Sequence, residues 1–119
     1  MTFGRMPIAN GFLRREEFPT EYFYQLSPLF CEHCFTFQIE EQPDPQQMFH
    51  ENYAFHTRSS QHMQHHFRDF ANWAMQRFLD RGNDLVIELG SNDGAMLEHF
   101  AKRGIRHLGI EPSANVAAV

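Results

Sequence analysis

The alternation of apolar and polar positions is sharpest in the last third of the chain. Leu85-Val86-Ile87-Glu88-Leu89 is a short apolar run closed by glycines at Gly90 and Gly94, which predicts a buried strand followed by a tight loop. Ala95 to Arg103 has helical spacing and stops at Gly104, and Arg106 to Ile110 reads as a second strand ending on Glu111. Strand, glycine loop, helix and strand form a βαβ unit with adjacent, parallel strands. Further upstream, Met63, Phe67, Phe70, Ala74 and Phe78 recur at intervals of three and four. That spacing predicts one helix with one apolar stripe, capped by Ser59 or Ser60, running to about Asp80 and stopped by Gly82. His66 and Trp73 fall at the edge of the stripe, and His65 faces away.

The first half is harder to pattern. Met1 to Leu29 reads as loop with interspersed aromatics, because Pro7, Pro19 and Pro28 break any long helix. Arg14 to Phe18 predicts one helical turn, and Phe23 to Leu26 an edge strand. Alternation after Cys34 predicts a strand over Phe35 to Ile39, and the polar, proline-containing stretch Glu40 to Gln47 a connecting loop. Phe49, His50, Tyr53, Phe55 and His56 then cluster, either as core packing or as a surface that stacks on a substrate. The expected organisation is residues 1–47 as a small β/loop region, 48–84 as a connecting segment with the helix, and 85–119 as the βαβ unit.

Composition narrows the classes. The chain has 119 residues and a formal charge of −5 with no basic run, which disfavours a nucleic-acid partner. No apolar stretch approaches a membrane span, and Met1 to Asn10 lacks the apolar core of a signal peptide, so a cytoplasmic protein is expected. Both ends read as incomplete: the chain opens in what looks like the middle of a loop, and Val119 falls where the helix after the second strand should begin. Two parallel strands do not make a stable sheet, since such sheets usually have about five or six strands. A fragment of a larger enzyme is expected.

Two groups of residues carry chemistry. Cys31-Glu32-His33-Cys34 is a CxxC turn leading into a predicted strand, which is half of a zinc ribbon; a full site needs four ligands. Two unrelated free cysteines are the bland alternative. His62 and His66 have an i, i+4 spacing that can bind metal, but no third ligand accompanies them, so a solvated face is the better reading. In the βαβ unit, Gly90 and Gly94 let the backbone turn sharply beside a ligand, and the following helix N-terminus favours an anionic group. Glu111 lies 23 residues after Glu88, at the tip of the neighbouring strand, where a carboxylate can accept from both ribose hydroxyls. Glu88 would repel a pyrophosphate but attract the ammonium of S-adenosylmethionine. A nicotinamide-dinucleotide oxidoreductase remains a rival, although its fingerprint needs glycine where Asn92 and Ala95 stand. A non-catalytic zinc or interaction module is a second rival. Taken alone, Asp93 is a turn residue and Glu111 a helix-capping acid.

The sequence resembles the S-adenosylmethionine-dependent sugar C-methyltransferases that act on nucleotide-linked deoxysugars. The resemblance runs through Met6 to Phe12, Cys31 to Cys34, Met48 to Tyr53, Ser59, Ser60, His66-Phe67, Ile87 to Gly94 and His107 to Ser113. It implies the start of a Rossmann-like class I methyltransferase domain, overall α/β, preceded by a zinc-ribbon-like region. It implies S-adenosylmethionine bound by Glu88, Gly90, Asn92, Asp93, Gly94, Glu111, Pro112 and Ser113. It implies a substrate side with Tyr53, Ser60 and His66, the substrate being a small nucleotide-linked sugar. It also implies a structural zinc with four cysteines, of which Cys31 and Cys34 match the second pair and the first would lie upstream of Gly4. Phe55 stands where the family often has a second tyrosine, and the principal base residues belong to a later segment.

Overall fold

The computed structural model describes residues 1–9, 11–80 and 83–119; Asn10 of the Met6–Phe12 motif and the expected stop at Gly82 lie outside them. The chain divides into two units, Met1–Ala54 and Phe55–Val119.

The first unit is built from short antiparallel pairs. Strand β1 (Arg5–Pro7) pairs with β2 (Phe23–Gln25), Met6 opposite Tyr24. Strand β3 (Pro28–Phe30) pairs with β4 (Phe37–Ile39), Leu29 opposite Gln38. Strands β1 and β3 form where loop was expected. Three-residue strands carry no readable period; a distant partner makes them. Residues Arg15–Thr20 form a 3₁₀ turn around Pro19, longer than the single turn expected from Arg14 to Phe18. The expected loop of residues 40–47 contains helix α1 (Pro45–Met48), whose cap Asp44 accepts from the Gln46 N–H. Asp-Pro followed by two glutamines is a helix start, with Pro45 at a position whose N–H needs no partner. Among the described residues, every hydrophobic residue of the buried core belongs to the second unit. The first unit rests on ladder bonds and polar contacts such as Tyr22 to Asp44 and Glu41 to the Gln25 N–H.

In the second unit, α2 (Gln61–Phe78) starts at Ser60, whose hydroxyl accepts from the Met63 N–H. Strands β5 (Leu85–Leu89) and β6 (Arg106–Ile110) span the residues that the apolar pattern predicts and pair in parallel, Glu88 opposite Gly109. Helix α3 (Leu97–Ala101) is shorter than the predicted Ala95–Arg103, because residues 92–96 turn instead of joining it. Its end is closed by the Gly104 N–H on Ala101 and the Ile105 N–H on Phe100, with Gly104 at φ +70°, a left-handed stop that glycine makes without strain. A last short helix, α4, covers Ala114–Ala117.

The core is Ala71, Leu97 and Phe100, with Ala74, Met75, Leu79, Val86, Met96 and Ile105 packed on it. The apolar stripe of α2 is therefore split. Ala71 and its neighbours enter the core, whereas Phe70, Trp73 and Phe78 stay exposed, with Trp73 tilted on Phe70 and edge to face with Phe78. The expectation of a buried strand is corrected: Val86 and Glu88 are half-buried, and the other residues of β5 and all of β6 are exposed. Leu85, Ile87, Leu89, Leu108 and Ile110 are each at least half exposed, since α3 covers the other side of the strands. Among the described residues, no helix is long and apolar enough to cross a membrane.

Gly109 sits where a Cβ would lie 2.6 Å from the Ser91 hydroxyl and 3.0 Å from Leu97. Gly109→Ala should destabilise the chain by about 1–3 kcal/mol through forced repacking, measured as a lower denaturation midpoint with unchanged slope.

Candidate functional site

The loop after β5 is set by its backbone. Gly90, Asn92 and Gly94 have φ of +75°, +49° and +67°. A Cβ on either glycine would meet nothing within 4 Å, so glycine is needed there for its conformation and leaves open space beside the loop. Asparagine tolerates the left-handed region better than most residues, which explains how Asn92 stands where a Gly-rich loop would have glycine.

The loop is clasped from two sides. Asn92 Oδ1 accepts from the Thr57 N–H at 2.9 Å and the Thr57 hydroxyl at 3.2 Å, while its Nδ2 donates to the Phe55 carbonyl. Asp93 Oδ2 accepts from the Arg58 N–H at 2.9 Å, and Arg58 Nε donates to the Asp93 carbonyl. Arg58 reaches on to Glu98 at 2.7 Å, which also pairs with Lys102. On the other side Glu111 Oε2 accepts from the Asn92 N–H at 3.0 Å, and its Oε1 accepts from the Ser113 N–H at 2.8 Å. Glu111 thus ties the loop after β5 to the turn after β6. The Asn92 amide is spent on bracing the turn.

Within this clasp, three polar atoms are buried and receive no hydrogen bond from the described residues: Glu88 Oε2, Asp93 Oδ1 and Ser113 Oγ. Buried carboxylate oxygens without donors are costly. Burial, and secondarily the Asp93 charge, push the Glu88 carboxyl up to about 7. Two acids beside each other with unpaired oxygens form a place where a cationic group is favoured and a pyrophosphate is not.

The remaining expected site residues are dispersed. Ser60 serves as the cap of α2. His66 is exposed on α2 beside Phe67, with ring centroids 5.4 Å apart. Tyr53 belongs to the first unit, half-buried and tilted on Phe49 at 6.3 Å. Pro112 is exposed and Ser113 fully buried. Thr57, Arg58 and Gly109 complete the clasp without having been singled out by pattern. A glycine inside a strand does signal close backbone approach; Thr57 and Arg58 act across 35 residues and leave no local signal.

In the first unit, Cys31 and Cys34 occupy the turn between β3 and β4. The Cys31 N–H donates to Thr36 and the Phe35 N–H to Cys31, with Phe35 at φ +58°. The Cys34 sulfur meets the Thr36 hydroxyl at 3.2 Å. This contact, with the neighbouring Cys31 thiol, pulls the Cys34 thiol below its ordinary value, which favours the thiolate that a metal needs. Among the described residues no group of three or more His, Cys, Asp or Glu side chains could hold a metal. Two thiols fit half of a zinc site and no more.

Residues 1–49 match the family Methyltransf_13, described as "Putative zinc binding domain". Over 120 residues the chain is 29% identical to the C-methyltransferase NovU of Streptomyces niveus, a match that takes in 100% of this chain. The chain spans 28% of the length of that relative. These findings bear out the resemblance to the N-terminal region of a sugar C-methyltransferase.

The raised Glu88 carboxyl makes stability depend on pH. A proton held more tightly in the folded state stabilises fully below the ordinary carboxylate range, and this contribution falls as pH rises to about 7. Glu88→Gln should abolish that decline. The variant should match the parent near pH 4 and exceed it at pH 8 by about 1 kcal/mol, after allowing for solvent screening of a half-exposed group. Denaturation curves at both pH values check this.

Proposed function

We propose that this chain belongs to a class I S-adenosylmethionine-dependent C-methyltransferase, that the unit from β5 to β6 begins its Rossmann-like cofactor domain, and that its substrate is a nucleotide-linked keto-deoxysugar in the cytoplasm. The observation that carries this reading is the adjacent pair of carboxylates, the half-buried Glu88 and the buried Asp93, each with one buried oxygen that no described donor satisfies. An ammonium group supplies the missing donors and the missing positive charge, which a nicotinamide dinucleotide's pyrophosphate does not. The similarity to a protein named C-methyltransferase supports the same reading.

When bound, the cofactor would supply an electrophilic methyl group on a sulfonium. Glu88 and Asp93 would hold its ammonium, and the open space beside Gly90 and Gly94 would admit its methionine end. Glu111 already accepts two N–H groups, one on each oxygen. A carboxylate oxygen has a second lone pair, so Glu111 could brace the loop and still accept from ribose hydroxyls. Pro112 and Ser113 would border that end. Tyr53, Ser60 and His66 are proposed for the substrate side, with Ser60 acting through the start of α2. Holding the donor in a fixed orientation is the part of catalysis that the loop residues of the second unit would supply. The Cys31–Cys34 turn would hold structural zinc.

Calorimetric titration of the chain with S-adenosylmethionine and with NAD tests the assignment. S-adenosylmethionine should bind, and more weakly as pH falls below about 7, because the ammonium must displace the Glu88 proton. Glu111→Ala should weaken it by about ten-fold or more, since one lost charge-assisted bond is worth roughly 1.5–3 kcal/mol; Glu111→Gln should cost less. Tighter binding of NAD, or unchanged S-adenosylmethionine affinity in Glu88→Gln, would overturn the reading.

A further inference from the structure

We propose that Arg58 is a positioning residue of the loop after β5: it fixes Asp93 so that one carboxylate oxygen stays free, with Glu88, for the ammonium of the cofactor. The inference rests on the proposed S-adenosylmethionine reading and adds the residue that sets up its acidic pair.

Asp93 needs an outside hold. It lies between Asn92 and Gly94, both at positive φ, so neither a helix nor a strand fixes its peptide planes. The residue is nonetheless only 3% exposed. Arg58 bonds to two of its groups. The Arg58 N–H donates to Asp93 Oδ2 at 2.9 Å, and Arg58 Nε donates to the Asp93 carbonyl at 3.2 Å. With Oδ2 so engaged, Oδ1 is the oxygen left without a donor. The Asp93 charge acts on Glu88, whose Oε2 is likewise unsatisfied. Arg58 thus sets which Asp93 oxygen is spent and which is kept.

Arg58 is itself anchored to both helices of the core. Its Nη1 donates to Glu98 Oε2 on α3 at 2.7 Å, and its carbonyl accepts from Gln64 Nε2 on α2 at 2.7 Å. A planar guanidinium donates through Nε and Nη1 at once, in fixed directions; a lysine ammonium does not reproduce that fork. The Arg58 charge predicts the opposite of its geometry. A cation near the site repels a cationic ligand, so a purely electrostatic role would make binding tighter when Arg58 is removed. A positioning role makes it weaker.

The test is calorimetric titration of S-adenosylmethionine into the parent chain, Arg58→Ala, Asp93→Asn and the double variant. Arg58→Ala should weaken binding about ten-fold. In the Asp93→Asn background the same change should cost less than about two-fold, because its effect runs through that carboxylate. A merely structural role would cost the same factor in both backgrounds. That result, or unchanged or tighter binding by Arg58→Ala, would overturn the positioning role and leave the S-adenosylmethionine reading in place. No binding by the parent chain would overturn both. If Arg58→Ala does not fold, Arg58→Lys, which keeps a cation for Glu98 and loses the fork, takes its place in the cycle. The direction of loss and the absence of additivity should be the same, and their failure would overturn the proposal equally.

Discussion

The Glu111 carboxylate ties together the loops after β5 and β6 in the second unit. One oxygen takes the Asn92 N–H and the other the Ser113 N–H. These donors lie in the loops after two neighbouring parallel strands, so the bond pair holds the strand ends in register beyond the last ladder bond. Gly90 and Ser91 both donate to the Ile110 carbonyl in the same place. Bonds to an ionised acceptor are stronger than neutral ones, and this one is partly withdrawn from water. With the loop so held, Asn92 can keep a left-handed backbone and lend its amide to residues 55–57.

The same closure makes the acidic pair costly and therefore informative. Asp93 is pinned through one oxygen to the Arg58 backbone, and Glu88 lies on the covered face of β5. Each keeps an oxygen without a donor. Proteins rarely leave buried carboxylates unsatisfied unless something else satisfies them. Raising the Glu88 carboxyl to about 7 is the response of the chain alone; under the proposed function a bound ammonium would be the other.

The two units differ in how they are held. The second closes on Ala71, Leu97 and Phe100. In the first, aromatic rings turn outward: six of the chain's 13 phenylalanines, at 3, 12, 18, 30, 35 and 37, are more than half exposed there. Apolar area that stays in contact with water contributes nothing to folding. Under the proposed zinc reading, the Cys31–Cys34 turn would staple a region that contributes no buried hydrophobic residue among the described residues.

Local residues determined the βαβ unit. Strands at Leu85–Leu89 and Arg106–Ile110, the left-handed glycines and the Ser60 cap depend on neighbours within a few positions, where period and turn chemistry operate. The CxxC turn was legible for the same reason. What the sequence alone left undecided depends on partners far along the chain. Strands β1 and β3 exist only through their pairing with β2 and β4. The splitting of the α2 stripe follows from which side α3 takes. The clasp of Thr57 and Arg58 on Asn92 and Asp93 spans 35 residues. The pairing of Glu111 with two backbone N–H groups could not be read from its spacing to Glu88, which marks only the strand tip. Local composition chose the elements; tertiary contact decided which buried polar atoms were satisfied and which were not.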